Sequence, residues 1–501
     1  MKKYLMGIDN GSTMTKAGIY DFEGNEIAVY GSKCDVIMPQ AGYYERDMNG
    51  IWSSNIEAIS KAIQKSGINS SEIAALAITG HGATMHLVGQ DGQPVYNAIE
   101  GTDSRAAKYA EKWVKDGTVD KVHPKIMQTM FPASSSCLFA WLKDNEPEVL
   151  RKAKWFFSIT DFIRYKLTGE AFSEITSLSS TSIINTREQK TDKKMLGDMG
   201  IGEVIDLIAP IVQSTDICGN ISEEAAELTG LTEGTPVAAG LFDICSAGIA
   251  TGMVDETKIN VIVGTWCNNQ YISNTPVIDK DFFATYVHAI PGHWIMLEGS
   301  PTSASNLEWF VSEFLGEEKK AAKQNNTSVY DICNRAVSDT KPEDSDIVFV
   351  PFLYGSNANP KAKATFIGLE GWHKRNHVIR AIYEGICFSH KWHIEKILKF
   401  RDKPDAVRMA GGAVRSAVWV QMFADILQMP MEITGAVELG TLGAAITAGV
   451  GAGVFDSFDT AVRNIVKVAN RIEPKRENLR VYEEKYERYK RAISSLDGYW
   501  M

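Results

Sequence analysis

The sequence predicts an α/β protein built as two related domains flanking a shared cleft. Three observations lead there. At 501 residues the chain is longer than one ordinary hydrophobic core supports. A strand, a small-residue turn and a second strand near the N-terminus recur about half the chain later, the mark of an internal duplication. Beyond that repeat, short apolar strands alternate with segments of helical period. The boundary is expected near residue 250, giving domains 1–250 and 251–501 with no low-complexity linker between them.

The first strand runs Tyr4-Leu-Met-Gly-Ile-Asp9-Asn-Gly-Ser12-Thr13, and a second begins at Ala17. Amides of this turn and the hydroxyls of Ser12 and Thr13 form a nest suited to phosphate oxygens, with Asp9 beside it for a hydrated cation. An ordinary hairpin on an Asn-Gly turn is the other reading. A helix is expected at 51–66 and an apolar strand at 74–79. That strand leads into Gly80-His81-Gly82-Ala83-Thr84-Met85-His86. The two histidines lie five residues apart, on opposite faces of a strand, so they are set aside as a metal pair. Residues 168–198 are polar and read as loops and short elements.

The stretch Val237-Ala-Ala-Gly-Leu-Phe-Asp243-Ile-Cys-Ser-Ala-Gly248 sets one carboxylate between an apolar strand and a small-residue helix start. An aspartate there has low-dielectric walls and suits a general base acting on a hydroxyl. A helix N-cap is the alternative. Lys258-Ile-Asn-Val-Ile-Val-Gly264-Thr265 then repeats the first hairpin and offers a second phosphate loop to the cleft. In Met409-Ala-Gly411-Gly412-Ala-Val-Arg-Ser416 two glycines join a strand to a helix and let a flat ligand approach the backbone. The spacing is not the dinucleotide fingerprint. Helices are expected at 377–400 and 478–496. The second carries Tyr482, Tyr486, Tyr489 and Ile493 at helical spacing and is expected to dock on a domain.

Composition narrows the class. Hydrophobic residues at 44% and charged residues at 23% are those of a globular protein. A net charge of −10 argues against a nucleic-acid surface. No apolar run reaches the roughly 20 residues that span a bilayer, and the N-terminus meets Gly7 and Asp9 before any signal core develops. Seven cysteines, none in a Cys-x-x-Cys pair, suit a reducing compartment, so a cytoplasmic location is expected.

These motifs resemble the FGGY carbohydrate kinases, of the same superfamily as actin, hexokinase and the heat-shock chaperone ATPases. Ala364-Thr-Phe-Ile-Gly368-Leu369, then seven residues, then His377-Val-Ile-Arg-Ala381-Ile-Tyr-Glu384 fit one family signature residue by residue. Leu138-Phe-Ala-Trp141-Leu-Lys-Asp-Asn-Glu-Pro147 fits another in part, with Leu138 where the family usually has Lys. Gly101-Thr-Asp103-Ser-Arg105-Ala, Asp161-Phe-Ile-Arg-Tyr-Lys-Leu-Thr-Gly169 and Glu438-Leu-Gly440-Thr-Leu-Gly443-Ala-Ala-Ile446 are further similarities. Pro351-Phe-Leu-Tyr-Gly-Ser-Asn357-Ala358 and Ser300-Pro-Thr-Ser-Ala-Ser-Asn-Leu-Glu-Trp309 resemble the members that act on L-xylulose.

The resemblance implies two ribonuclease H-like domains of the actin, hexokinase and chaperone-ATPase type. It also implies transfer of phosphate from ATP, with Mg²⁺, to a terminal hydroxyl of a small ketose, a pentulose such as L-xylulose or xylulose. In that scheme Asp243 is the general base and touches the sugar, while Asp9 orients Mg²⁺, mostly through water. Phosphates lie near Ser12, Thr13, Lys16, Gly264 and Thr265, and the adenosine end rests on Gly411, Gly412 and Ser416. His81, Gly82, Asp103 and Arg105 are the expected sugar contacts. His81 stands where many relatives have Gln, and Gly82 and Ala83 replace larger polar contacts of the glycerol and D-xylulose kinases. For Asp103 and Arg105 a surface ion pair is the competing reading. The alternative function is a nucleotide-driven switch or sugar-binding regulatory protein on the same fold. Expected partners are the sugar and ATP, without nucleic acid or membrane, and a homodimer is the one protein partner allowed for.

Overall fold

The computed structural model describes residues 2–357 and 361–500, so Ala358 of the Pro351 motif lies outside the described residues. These residues form two compact units. One comprises residues 2–254, 272–296 and 436–467; the other comprises 255–271, 297–435 and 468–500.

The first unit is organised by a sheet. Its strands are β1 (Tyr4–Asn10), β2 (Thr15–Asp21), β3 (Glu26–Ser32), β4 (Ile73–Gly80), β5 (Ile217–Asn220), β6 (Pro236–Ala238) and β7 (Leu241–Phe242). They lie in the order β5-β6-β4-β1-β2-β3, with β7 also pairing with β4. Strands β1, β6 and β7 run parallel to β4, while β1, β2 and β3 form an antiparallel meander. All eight residues of β4 are buried, as the near-continuous apolar run of a strand covered on both faces requires.

The alternation of β1 decides where its aspartate goes. Met6 and Ile8 point into a core with Ile51, Ala58 and Ile59 of the helix Met48–Ser66. That helix starts at Asp47, whose carboxylate accepts the Asn49 and Gly50 N–H groups, and stops at Gly67 in the left-handed region. Gly7 points the other way, toward the helix Leu439–Gly451, where a Cβ would meet the Thr441 carbonyl oxygen at 1.8 Å. With a period of two, Asp9 shares the face of Gly7. Accordingly, a Cβ on Gly440 would meet Asp9 Oδ2 at 2.1 Å.

The second unit repeats the plan. Strands β8 (Lys258–Val263), β9 (Cys267–Ser273), β10 (Trp294–Ser300), β11 (Ala406–Gly411), β12 (Met431–Thr434) and β13 (Val468–Ile472) run in the order β10-β9-β8-β11-β12-β13. Strands β8 and β9 form an antiparallel hairpin, and β11 lies parallel to β8. Val263 faces Gly411 just as Asn10 faces Gly80, so the repeat read from sequence is a repeat of topology. The C-terminal helix Leu479–Leu496 buries Tyr482, Tyr486, Tyr489 and Ile493, as its stripe predicts. Its Lys485 reaches Glu384 at 2.6 Å on the helix Arg375–Ile397.

Candidate active site

Three strand ends meet in the first unit. Asp9 on β1 lies opposite Thr79 on β4, and Thr79 lies opposite Leu241 on β7. Asn10, Gly80 and Phe242 form the next row. At the carboxyl ends of parallel strands the sheet no longer engages the backbone, which is where open α/β sheets bind ligands. Asp9, His81 and Asp243 lie along this one edge.

Asp243 is the first residue of the helix Asp243–Ala250, and the cap position belongs to Phe242, with no side-chain cap bond. The N-cap position thus falls to Phe242, and the Asp243 carboxylate meets the Ile244 N–H of the first turn. Phe242 packs edge to face against Tyr286 at 5.5 Å, making an apolar wall. Burial pushes the Asp243 carboxyl up from 3.8 to about 6, against the charge of His81 and the Ile244 N–H. Asp9 rises to about 7, through burial first and then the negative charge of Asp243, with Lys16 and His81 opposing. A carboxyl poised near neutral pH is suited to take a proton from a hydroxyl.

His81 is built in as a cation. Its Nδ1 lies 2.8 Å from the Asn10 carbonyl oxygen and its Nε2 lies 2.9 Å from Glu100 Oε2. Both partners accept, an arrangement that favours the ring protonated on both nitrogens, while Arg46 Nη2 lies 3.4 Å from the same Nε2. Burial works against that charge, and Glu100 outweighs it, so the His81 pKa is raised. Arg46 Nε donates to the other Glu100 oxygen at 2.7 Å. Burial alone would raise Glu100; His81 and Arg46 instead bring it down to about 2. Both His81 donors are thus engaged within the protein rather than open toward a sugar. Next to it, Ala83 has φ +52, a left-handed conformation that costs on the order of 1–3 kcal/mol outside glycine. Such strain clusters at functional sites. His86 is separate: buried and stacked on Phe162 at 5.5 Å, it is pushed down to about 3. Among the described residues no group of three or more His, Cys, Asp or Glu side chains is placed to hold a metal ion.

Asp103 and Arg105 form the expected pair, but inside the protein instead of on its surface. Arg105 reaches Asp103 through two nitrogens at 3.0 and 2.9 Å and Glu45 at 2.8 Å, and its guanidinium lies 4.2 Å from the Tyr43 ring centroid. Neither side chain has exposed surface to offer a ligand. Burial makes this a brace for the loop at 101–105.

The two loops expected to hold phosphate are distinct in build. The first, Gly11–Met14, closes with Gly11 N–H on the Met14 carbonyl, so the turn is centred on Ser12-Thr13 and not on Asn10-Gly11, and Ser12 and Thr13 stand exposed at its tip. Lys16 faces Asp9 across the β1–β2 ladder and ion-pairs with Glu438 at 2.7 Å. In the second, the carbonyls of Gly264 and Thr265 accept the Ala304 and Ser303 N–H groups, both at 2.9 Å, which fixes the loop against residues 303–305.

Gly264, Thr265, Gly412 and Ser416 line one cavity of about 470 Å³ in the second unit, with Tyr330, Asn334 and Trp419. Gly411 sits at its edge, with φ +91 and no room for a Cβ, which would meet the Val263 carbonyl oxygen at 2.5 Å. Ser416 caps the helix Ala417–Leu427 and donates to Asn334 Oδ1 at 2.6 Å; Tyr383 donates to the same oxygen at 3.0 Å. That leaves the Asn334 amide N–H groups as donors for a ligand. Sequence reading missed Arg46, Glu100 and Asn334. None stands in a motif, since Arg46 and Glu100 meet across 54 positions and Asn334 and Ser416 across 82.

Models of the FGGY family of carbohydrate kinases match the chain twice, the N-terminal domain at residues 4–250 and the C-terminal domain at 259–452. The chain is 34% identical to the L-xylulose/3-keto-L-gulonate kinase of Escherichia coli, over 100% of this chain and 98% of that protein. It is also 34% identical to a probable L-xylulose kinase of Pasteurella multocida, over 98% and 99%. Its fold is similar to that of ligand-bound xylulose kinase from Lactobacillus acidophilus, with a TM-score of 0.89 over 99% of this chain and 98% of that one, at 23% identity.

Proposed function

The chain belongs to the FGGY family of carbohydrate kinases, and from that premise we propose that it transfers phosphate from ATP to a terminal hydroxyl of a small ketose, a pentulose of the L-xylulose or xylulose kind. It is a phosphotransferase with an alcohol acceptor. The observation that carries the reading is Asp243: a carboxylate at a strand's carboxyl end, not consumed as a cap, with its pKa near 6. A binding switch needs no base there, so this observation favours the kinase over the regulatory alternative.

In the proposed reaction Asp243 takes the proton of the attacking hydroxyl as the phosphoryl group transfers. Phosphoryl transfer needs charge neutralisation and in-line positioning more than covalent help. Backbone amides of the 11–14 and 264–266 loops and the ammonium of Lys16 hold phosphate oxygens. The cavity around Gly412, Ser416 and Asn334 receives the adenosine end, with apolar contact from Tyr330 and Trp419. Asp9 fits Mg²⁺, which takes one or two protein carboxylates and completes its shell with phosphate oxygens and water. The bare Cα of Gly440 leaves that carboxylate uncovered by any side chain from the helix start. Bound there, the ion supplies neutralisation of phosphate charge. Location in the cytoplasm belongs to the same proposal, supported by seven free cysteines.

A panel of ketoses, polyols and sugar acids in an ADP-release assay tests the reading. Turnover that is highest with a pentulose and abolished by Asp243→Asn is the expected result. ADP release indifferent to every sugar would refute it.

A further inference from the structure

We infer that the acceptor is an uncharged ketose and that the site rejects the corresponding sugar acid. This rests on the kinase reading above and decides between two substrate classes that reading leaves together. A carboxylate on the substrate needs several unengaged donors to meet it, best of all a cation, because a desolvated anion without them is strongly disfavoured.

The cations at this sheet edge are already matched. Lys16, paired with Glu438 at 2.7 Å, is the cation that the reading above commits to the nucleotide's phosphates. Arg46 and His81 share Glu100 at 2.7 and 2.9 Å, and His81's other nitrogen is on the Asn10 carbonyl. Arg105 is enclosed by Asp103 and Glu45. Behind β7, Arg164 reaches the Ala239 carbonyl and pairs with Asp161 at 2.9 Å. Asp9 and Asp243 then add two carboxylates that have no Lys or Arg ion-pair partner among the described residues, and the nucleotide's phosphates bring further negative charge.

The edge is rich in acceptors, and that favours one chemistry. A hydroxyl donates as well as accepts, so a ketose satisfies carboxylates and carbonyls around it; a substrate carboxylate only accepts. Nor can position 82 carry a cationic side chain beside the base: a Cβ on Gly82 would meet Phe242 ring carbons at 2.6 and 2.7 Å, and the Phe242–Tyr286 wall carries no charge.

The test compares L-xylulose with its carboxylated counterpart, 3-keto-L-gulonate, by kcat/KM with ATP and by calorimetric binding. The acid should have kcat/KM at least about tenfold lower and bind more weakly in the same order. Equal or better use of the acid would overturn the inference while leaving the kinase reading standing. If neither is phosphorylated, L-xylulose is not the acceptor and the kinase reading rests on the wider sugar panel, while the calorimetric ranking still decides the charge argument: acid bound as tightly as ketose overturns it, ketose bound more tightly upholds it. Glu100→Gln releases Arg46 and His81 from their shared carboxylate. It should raise the acid-to-ketose ratio about tenfold, a quantity insensitive to overall loss of folded enzyme; an unchanged ratio counts against the inference.

Discussion

Lys16 on β2 and Glu438 at the start of the helix Leu439–Gly451 form an ion pair of 2.7 Å across 422 residues of sequence. Asp9 lies opposite Lys16 on the neighbouring strand, so the same lysine serves two carboxylates, pairing with one and lowering the pKa of the other. The pair is partly exposed, and such pairs contribute at most about 1 kcal/mol. Glu438→Gln should therefore leave Tm within a few degrees, whereas Lys16→Ala should raise KM for ATP several-fold. Thermal melts and ATP titrations check both. A large loss of Tm with KM unchanged would make the pair a clasp and nothing more.

Asp243→Asn should lower kcat by about 10²–10⁴ while leaving sugar and nucleotide binding near normal, because the amide keeps the shape but cannot take a proton. In the parent enzyme the base works only when ionised. With its pKa at about 6, kcat/KM should fall roughly tenfold per unit below that pH. Turnover of the variant comparable to the parent would remove Asp243 from the mechanism.

Asp9 carries a stability cost with a definite sign. Its folded pKa of about 7 lies above the usual 3.8, so between those values the folded protein keeps a proton that the unfolded chain has released. The cost is absent below about pH 4, grows through the window and is complete above 7. With EDTA present, Asp9→Asn should be more stable than the parent by about 1–3 kcal/mol at pH 8 and no different at pH 4. Denaturant unfolding at the two pH values measures this. The same difference at both would assign the effect to packing.

His81→Ala removes the imidazolium that favours ionised Asp243. The acid limb of kcat/KM should move above pH 6, and the loss at pH 7 should be common to all sugars and smaller at pH 8. A loss confined to the preferred sugar, with the pH profile unmoved, would make His81 a direct sugar contact.

The duplication, the strand ends and the residues placed on them are legible in local pattern alone. Small turns after apolar strands mark Asp9, Ser12, Gly264 and Gly411 because backbone approach and local period are short-range properties. Alternation along β1 even sets the face of Asp9, once it is known which helix covers which side. Other decisions were left to tertiary structure. Asp103 and Arg105 read as sugar contacts or as a surface pair, yet packing against Glu45 and Tyr43 encloses them. His81 read as a sugar ligand, yet the Asn10 carbonyl and Glu100 hold both its nitrogens and make it a fixed charge. The pKa of Asp243 follows from burial, opposed by His81, and that of Asp9 from burial and the nearby Asp243, relations that exist only after β1, β4 and β7 are in register. A motif records what a short stretch of chain can do; the charge, solvation and free donors of its side chains depend on residues brought beside them from far along the sequence.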